Sequence, residues 1–290
     1  MSDIVNSRNI NWYPGHMSKA VRLLQQQLRN VDFVIELCDA RLPFSSRNPV
    51  LKRMGPDKKR IIVLNKADLA DEKKTEEWLK YFRSAGDAAV SMNSREMNRK
   101  KFLSYIGNVC EEINERYSSR GIRKIARAMV IGVPNVGKST FINRLHGSNI
   151  ARTGDKPGVT RNNQWIRISS YFELLDTPGL LWPRLDDQKA ALRLCYIGSV
   201  SDEVTDISDI ALSLLQDLKE ASPESVKDRF HISDTNKPPV EMIDDICRGR
   251  GLLLPGGNSD YDRCFRLVLN EYRDGKLGRL TLETVKNRSE

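Results

Sequence analysis

The chain has 290 residues, with 47 Lys or Arg against 38 Asp or Glu and a formal net charge of +9. That length accommodates about two domains with formed cores. The basic excess favours a partner displaying phosphates, nucleic acid more than membrane, with plain solubility as the alternative because acidic residues are interspersed. The five cysteines (Cys38, Cys110, Cys195, Cys247, Cys264) are odd in number and form no C-x-x-C pair, which supports neither a disulfide framework nor a zinc site. No apolar run approaches membrane-spanning length, and Met1 to Ile10 carry neither a signal-peptide core nor an Arg-rich presequence. The expectation is a cytoplasmic protein with no membrane partner.

In chain order, Asn11 to Met17 reads as a turn, with Ser18 capping a helix that runs to about Asn30. Val31 to Leu37 is an apolar, β-branched strand ending at Cys38-Asp39-Ala40-Arg41, and Leu42 to Val50 is a Pro/Ser-rich loop. A second strand, Arg60 to Leu64, ends at Asn65-Lys66-Ala67-Asp68. A helix (Glu72 to Ala85), a short strand (Ala88 to Met92) and an amphipathic helix (Lys100 to Tyr117) follow, then a polar, basic linker from Ser118 to Lys124.

The apolar run Ala128 to Ile131 feeds Gly132-Val133-Pro134-Asn135-Val136-Gly137-Lys138-Ser139, a G-x-x-x-x-G-K-[ST] stretch that opens into a helix from Thr140 to Leu145. Strand, glycine turn and helix N-terminus together make a phosphate cradle of converging backbone N–H groups. Lys138 would reach the β/γ-phosphates and the Ser139 hydroxyl would ligate Mg²⁺. Beyond it come a loop (Asp155 to Asn163), strands at Gln164 to Ile168 and Tyr171 to Leu175, and Asp176-Thr177-Pro178-Gly179. From about Pro183 onward the pattern is helical: Asp187 to Gly198, Asp206 to Glu220, Ser222 to Arg229, Pro239 to Gly249 and Asp260 to Asp274. The expected class is α/β, with residues 1–182 as a mostly parallel sheet flanked by helices and 183–290 as a smaller all-α domain.

Asn65-Lys66-Ala67-Asp68 has the form N-K-x-D. A carboxylate at Asp68 can accept from both N1–H and N2–H₂ of guanine, whereas adenine offers no matching donor pair, so the nucleotide expected is GTP or GDP. Asp176-Thr177-Pro178-Gly179 supplies D-x-x-G, with Asp176 holding Mg²⁺ through water and the Gly179 N–H on the γ-phosphate. Thr160, in Lys156 to Thr160, is the candidate switch threonine for the Mg²⁺ shell. Ser91-Met92-Asn93 is placed to offer N–H groups to the base, and Val136, Gly137 and Thr140 complete the expected nucleotide contacts.

The set is complete but permuted, since N-K-x-D precedes the P-loop. With Trp12 to Met17, Asp39-Ala40-Arg41, Ser45 to Pro49, Leu174 to Gly179 and the region from Tyr261 to Leu280, the chain resembles the circularly permuted ribosome-assembly GTPases of the RbgA (YlqF) type. The resemblance implies a circularly permuted P-loop GTPase that binds a large ribosomal subunit precursor and its rRNA and acts late in its maturation. Because D-x-x-G lies immediately upstream of Leu181-Trp182-Pro183 and the helical domain, that domain is expected to read the particle and hydrolysis to release it. A monomer is expected.

Leu180 follows D-x-x-G where Ras-like proteins place a water-orienting glutamine. His16, brought by the permutation to the continuation of switch II, is the candidate replacement; a turn-stabilising role is the alternative. Asn135 resembles the asparagine that potassium-activated GTPases use to hold K⁺, with a hydrogen bond inside the loop as the other reading. Lys58 to Arg60, Arg99 to Lys101, Arg120 to Arg127 and Arg248 to Arg250 are candidate rRNA contacts or solvated faces; Arg41 and Arg47 either brace their loop or touch RNA. A nucleotide-gated RNA-binding module and a GTPase acting on tRNA or translating ribosomes remain the alternative functions.

Overall fold

The structure is a computed structural model that describes residues 22–48, 51–55, 57–118, 121, 124–150, 164–176, 188–201 and 206–288. Its centre is a six-stranded sheet, in the order β3-β2-β1-β4-β6-β5. The strands are β1 (Phe33–Asp39), β2 (Lys59–Asn65), β3 (Ala88–Ser91), β4 (Ala126–Gly132), β5 (Gln164–Ser169) and β6 (Phe172–Asp176). All neighbours pair in parallel except β5 with β6, so the antiparallel pair closes one edge.

Every residue of β1 is buried, which suits an apolar strand covered on both faces. Its pleat sends Phe33, Ile35 and Leu37 to one side, where they pack with Phe102 and Ile106 of α4 (Arg99–Ser118) and Phe141 and Ile142 of α5 (Lys138–His146). Val34 faces the other side and meets Leu24 and Leu28 of α1, described over residues 22–28. On that same side Ile62 and Leu64 carry Trp78, Leu79 and Phe82 of α3 (Glu72–Ser84). A one-turn helix α2 (Leu51–Met54) completes this half.

β1 begins two residues later than the apolar run and extends to Asp39, because it is paired through to its last residue with Asn65. The P-loop helix begins at Lys138 rather than Thr140: Gly137, at φ 96°, is the N-cap. The helix therefore starts directly behind the glycine turn.

The helical half comprises α6 (Gln188–Tyr196), α7 (Ile207–Ala221), α8 (Pro223–Phe230), α9 (Pro239–Gly249) and α10 (Tyr261–Arg273). Leu214, Leu218, Phe230, Ile243, Ile246 and Val268 form its interior, continuous with the sheet's core. The chain then returns as an extended strap. Leu280 N–H donates to the Leu69 carbonyl at 3.0 Å and Leu282 N–H to that of Arg41 at 3.0 Å. Trp78 Nε1–H donates to the Glu283 carbonyl at 3.2 Å. No described helix is long and apolar enough to cross a membrane.

Candidate nucleotide-binding site

β1, β2, β3, β4 and β6 end on one edge of the sheet, at Asp39, Asn65, Ser91, Gly132 and Asp176. This carboxyl edge is where open α/β sheets bind ligands. The P-loop leaves β4 there, anchored by Val133 and Val136, which are buried. A Cβ on Gly132 would lie 2.8 Å from the Leu37 carbonyl oxygen, so only glycine lets the loop leave β4 this close to β1. Asn135 (φ 60°) and Gly137 (φ 96°) are left-handed and fold the loop back over the start of α5.

No side chain caps α5, and its first turn holds no acidic residue. Its leading N–H groups and the positive end of its dipole thus face an anion site, and Lys138, itself buried, sits at its first position. Ser139 and Thr140 are half-buried on the same turn. These features fit a polyphosphate. Among the described residues no group of His, Cys, Asp and Glu could by itself hold a metal ion.

Asn65 joins the two parts of the site. Its Nδ2 donates to the Val136 carbonyl at 2.7 Å, while its Oδ1 accepts from Ser94 N–H at 2.9 Å and Ser94 Oγ at 2.8 Å. Gly137 leaves room for this: a Cβ there would stand 2.4 Å from Nδ2. Lys66 is left-handed (φ 58°), which turns the chain into the short 3-10 helix Ala67–Leu69, where Asp68 is exposed. Ser91-Met92-Asn93 lies alongside, since Met92 N–H donates to Leu64 O at 2.9 Å and Ala67 N–H to Met92 O at 3.1 Å. Asp176 ends β6 in register with Val130, two residues before the P-loop begins. His16, Thr160 and Gly179 lie outside the described residues.

Beneath Lys66 is a buried ion network that sequence reasoning left open. Lys66 Nζ lies 3.3 Å from Asp39 Oδ2, and Arg41 grips the same carboxylate. Burial alone would raise the Asp39 pKa, but Arg41 and Lys66 overcome it and hold the carboxyl well below the usual range. Burial lowers the Lys66 pKa, with Asp39 opposing. Arg47 is likewise internal, at 3.1 Å from Glu36 and 3.6 Å from Asp87.

Several of the cations read as candidate rRNA contacts or solvated faces are paired within the fold. Arg60 bonds Asp87 at 2.7 Å, Lys59 pairs with Glu112, Lys124 with Asp32 and Arg127 with Glu173. Arg99 binds the carbonyls of Leu145 and Ile168. Arg279 was not anticipated: from the strap it binds the carbonyls of Ala70 and Ala67, bracing the turn that follows Lys66. The P-loop in turn touches the helical half, for Asn135 Nδ2 donates to Gly198 O at 2.6 Å and Ser199 Oγ to Pro134 O at 2.7 Å.

Residues 127–243 match a family described as 50S ribosome-binding GTPase. A Bacillus cereus protein named ribosome biogenesis GTPase A is 44% identical, over 95% of this chain and 94% of its own. Two solved structures are similar along nearly the whole length. A GNP-bound YlqF from T. maritima superposes with a TM-score of 0.66 at 30% identity, covering 92% of this chain and 98% of that one. A GDP-bound TM YlqF gives 0.67 at 29%, covering 91% and 100%.

Proposed function

The chain belongs to the ribosome biogenesis GTPase A family, and from that premise we propose that it binds a precursor of the large ribosomal subunit and hydrolyses GTP to time a late assembly step, then dissociates. It is a circularly permuted GTPase acting in ribosome biogenesis; it binds guanine nucleotide, and its partner is ribosomal. The observation that carries the reading is the Asn65 bridge: one side chain fixes the distance between a guanine-reading loop and a phosphate cradle.

In this reading Asp68 accepts from the guanine edge, Asn65 and Lys66 shape its loop, and Ser91, Met92 and Asn93 line the base. Asn135, Val136, Gly137, Lys138, Ser139 and Thr140 surround the phosphates. Ser139, Thr160 and water held by Asp176 would ligate Mg²⁺, which would supply positive charge beside the phosphates. The Gly179 N–H meets the γ-phosphate. With Leu180 unable to orient water, His16 takes that place. The Asn135 amide oxygen would be the atom that holds K⁺, the amide nitrogen being a donor only. Residues 1–182 then form the GTPase domain and 183–290 the rRNA-reading domain of a cytoplasmic monomer, with free surface cations supplying phosphate contacts.

Co-sedimentation with immature and mature large subunits tests the proposal. Binding should be strong to the immature particle with a GTP analogue and weak with GDP; equal binding in both states would sink the timing role. Turnover with the particle added should drop in His16→Ala and on replacing KCl by NaCl, and unchanged rates would remove those two assignments.

A further inference from the structure

Arg41 is 1% exposed, an unusual place for a guanidinium. Its donors are divided between the two halves of the molecule. Nε and Nη2 fork onto Asp39 Oδ1 and Oδ2 at 2.9 and 2.8 Å. Nη1 donates to the carbonyls of Tyr272 (2.9 Å) and Arg273 (3.3 Å). Both carbonyls lie in the last turn of α10, at the negative end of its dipole, where that of Tyr272 also accepts from Gly275 N–H at 3.1 Å. The guanidinium also lies 4.9 Å from the centre of the Tyr272 ring.

The same helix end reaches the phosphate side. The Arg273 side chain donates to the carbonyls of Tyr196 (3.1 Å) and Cys195 (2.7 Å), the C-terminal turn of α6. Directly after that turn, Gly198 and Ser199 make their bonds to Asn135 and Pro134 of the P-loop. One turn of α10 is therefore tied to the base loop through Arg41, Asp39 and Lys66, and to the P-loop through Arg273 and α6.

We propose that Arg41 is a positioning residue: it sets Lys66 through their shared carboxylate, and by fastening that setting to the end of α10 it links guanine binding to the packing of the helical half. This rests on the reading of residues 65–68 as the base-binding loop. Linkage of binding free energies is reciprocal, so whatever loosens or tightens the end of α10 changes nucleotide affinity by the factor with which nucleotide changes it. Lysine cannot replace Arg41, because an ammonium cannot make the planar fork and reach the helix carbonyls together.

Hydrogen exchange on the unaltered protein is the first test. The amides of Asp274, Gly275 and Lys276 donate to the Asn270, Tyr272 and Glu271 carbonyls and report on that turn. GDP should slow their exchange about tenfold. Protection confined to the P-loop and base loop would overturn the proposal. The second test is a cycle of GDP affinities. Arg41→Lys should raise Kd about tenfold, the worth of about one charge-assisted hydrogen bond. It should do so no further in a Lys66→Ala background. Additive losses would mean a general structural role and overturn the proposal, as would an unchanged Kd in Arg41→Lys while Lys66→Ala weakens binding. Undiminished affinity in Lys66→Ala itself would overturn the base-loop reading and the proposal together. If Arg41→Lys does not fold, the exchange measurement on the unaltered protein decides.

Discussion

Asp39 shows how a single carboxylate at the end of a central strand sets its surroundings. It is fully buried, and its backbone N–H donates to Ser46 Oγ at 2.9 Å, while its oxygens take Arg41 and Lys66. Removing one partner of such a pair leaves the others charged and uncompensated, so Asp39→Asn should cost about 3–5 kcal/mol near neutral pH. Because the folded carboxyl titrates well below the ordinary value, the unfolded chain takes up its proton first as pH falls. The stabilisation is fully present above about pH 4, the unfolded carboxyl value. It is then lost as pH falls through the depressed folded pKa. Denaturant melts of the two proteins should therefore differ by a constant amount from pH 8 to 5 and converge in acid. A gap that narrowed already between pH 7 and 5 would place the control elsewhere.

At the scale of elements, the C-terminal strap holds the two halves together. Glu283 is buried and accepts from Phe44 N–H at 2.7 Å, from Ser45 N–H at 3.2 Å and from the Ser45 hydroxyl. It also faces Arg193 Nη1 at 3.3 Å, and Arg193 bonds Asp217 of α7 at 2.9 Å. Glu283→Ala should leave two buried amides and the Arg193 Nη1 donor without their acceptor, lowering stability by about 3 kcal/mol, or roughly 6–12 °C in Tm. A scan showing a shift under about 2 °C would demote the strap to a passive tail. None of this could be read from the chain alone. The central strands and the P-loop were legible because continuous apolar runs and glycine spacing are local signals. The N-K-x-D spacing of Asn65 to Asp68 is a local signal too, whereas the Asn65 bridge to Val136 and Ser94 is not. The strap carries no periodicity; its shape comes from partners such as Ser45, 238 residues away. Arg41 could be read as a brace or an RNA contact, since the carbonyl that decides the matter lies 231 residues further on.

Across the whole molecule, the permutation places the sheet before the helices in sequence, yet the buried apolar residues run without a break from Phe33 and Phe141 to Leu214, Ile243 and Val268. Charged groups cross the same boundary, with Arg41 reaching α10 and Glu283 reaching Arg193. Domains whose contact is large and apolar lose their independence, whereas small polar contacts leave them free to move. The two halves should therefore unfold together. Calorimetry is expected to show one transition, and GDP at about 100 times its Kd should raise the stability of the whole by about 2.7 kcal/mol. The discriminating feature is the response of α7 to α10, whose described link to the P-loop runs through Arg273 and the end of α6. If those helices melted separately, their transition would stay fixed as GDP is added while the sheet's moved upward, and the continuous core would not be a cooperative unit. If they shift by the same amount as the sheet, nucleotide binding is felt throughout the helical half. Nucleotide state would then reach the helical half without a separate hinge, because the end of α10 is tied to Lys66 through Arg41 and Asp39.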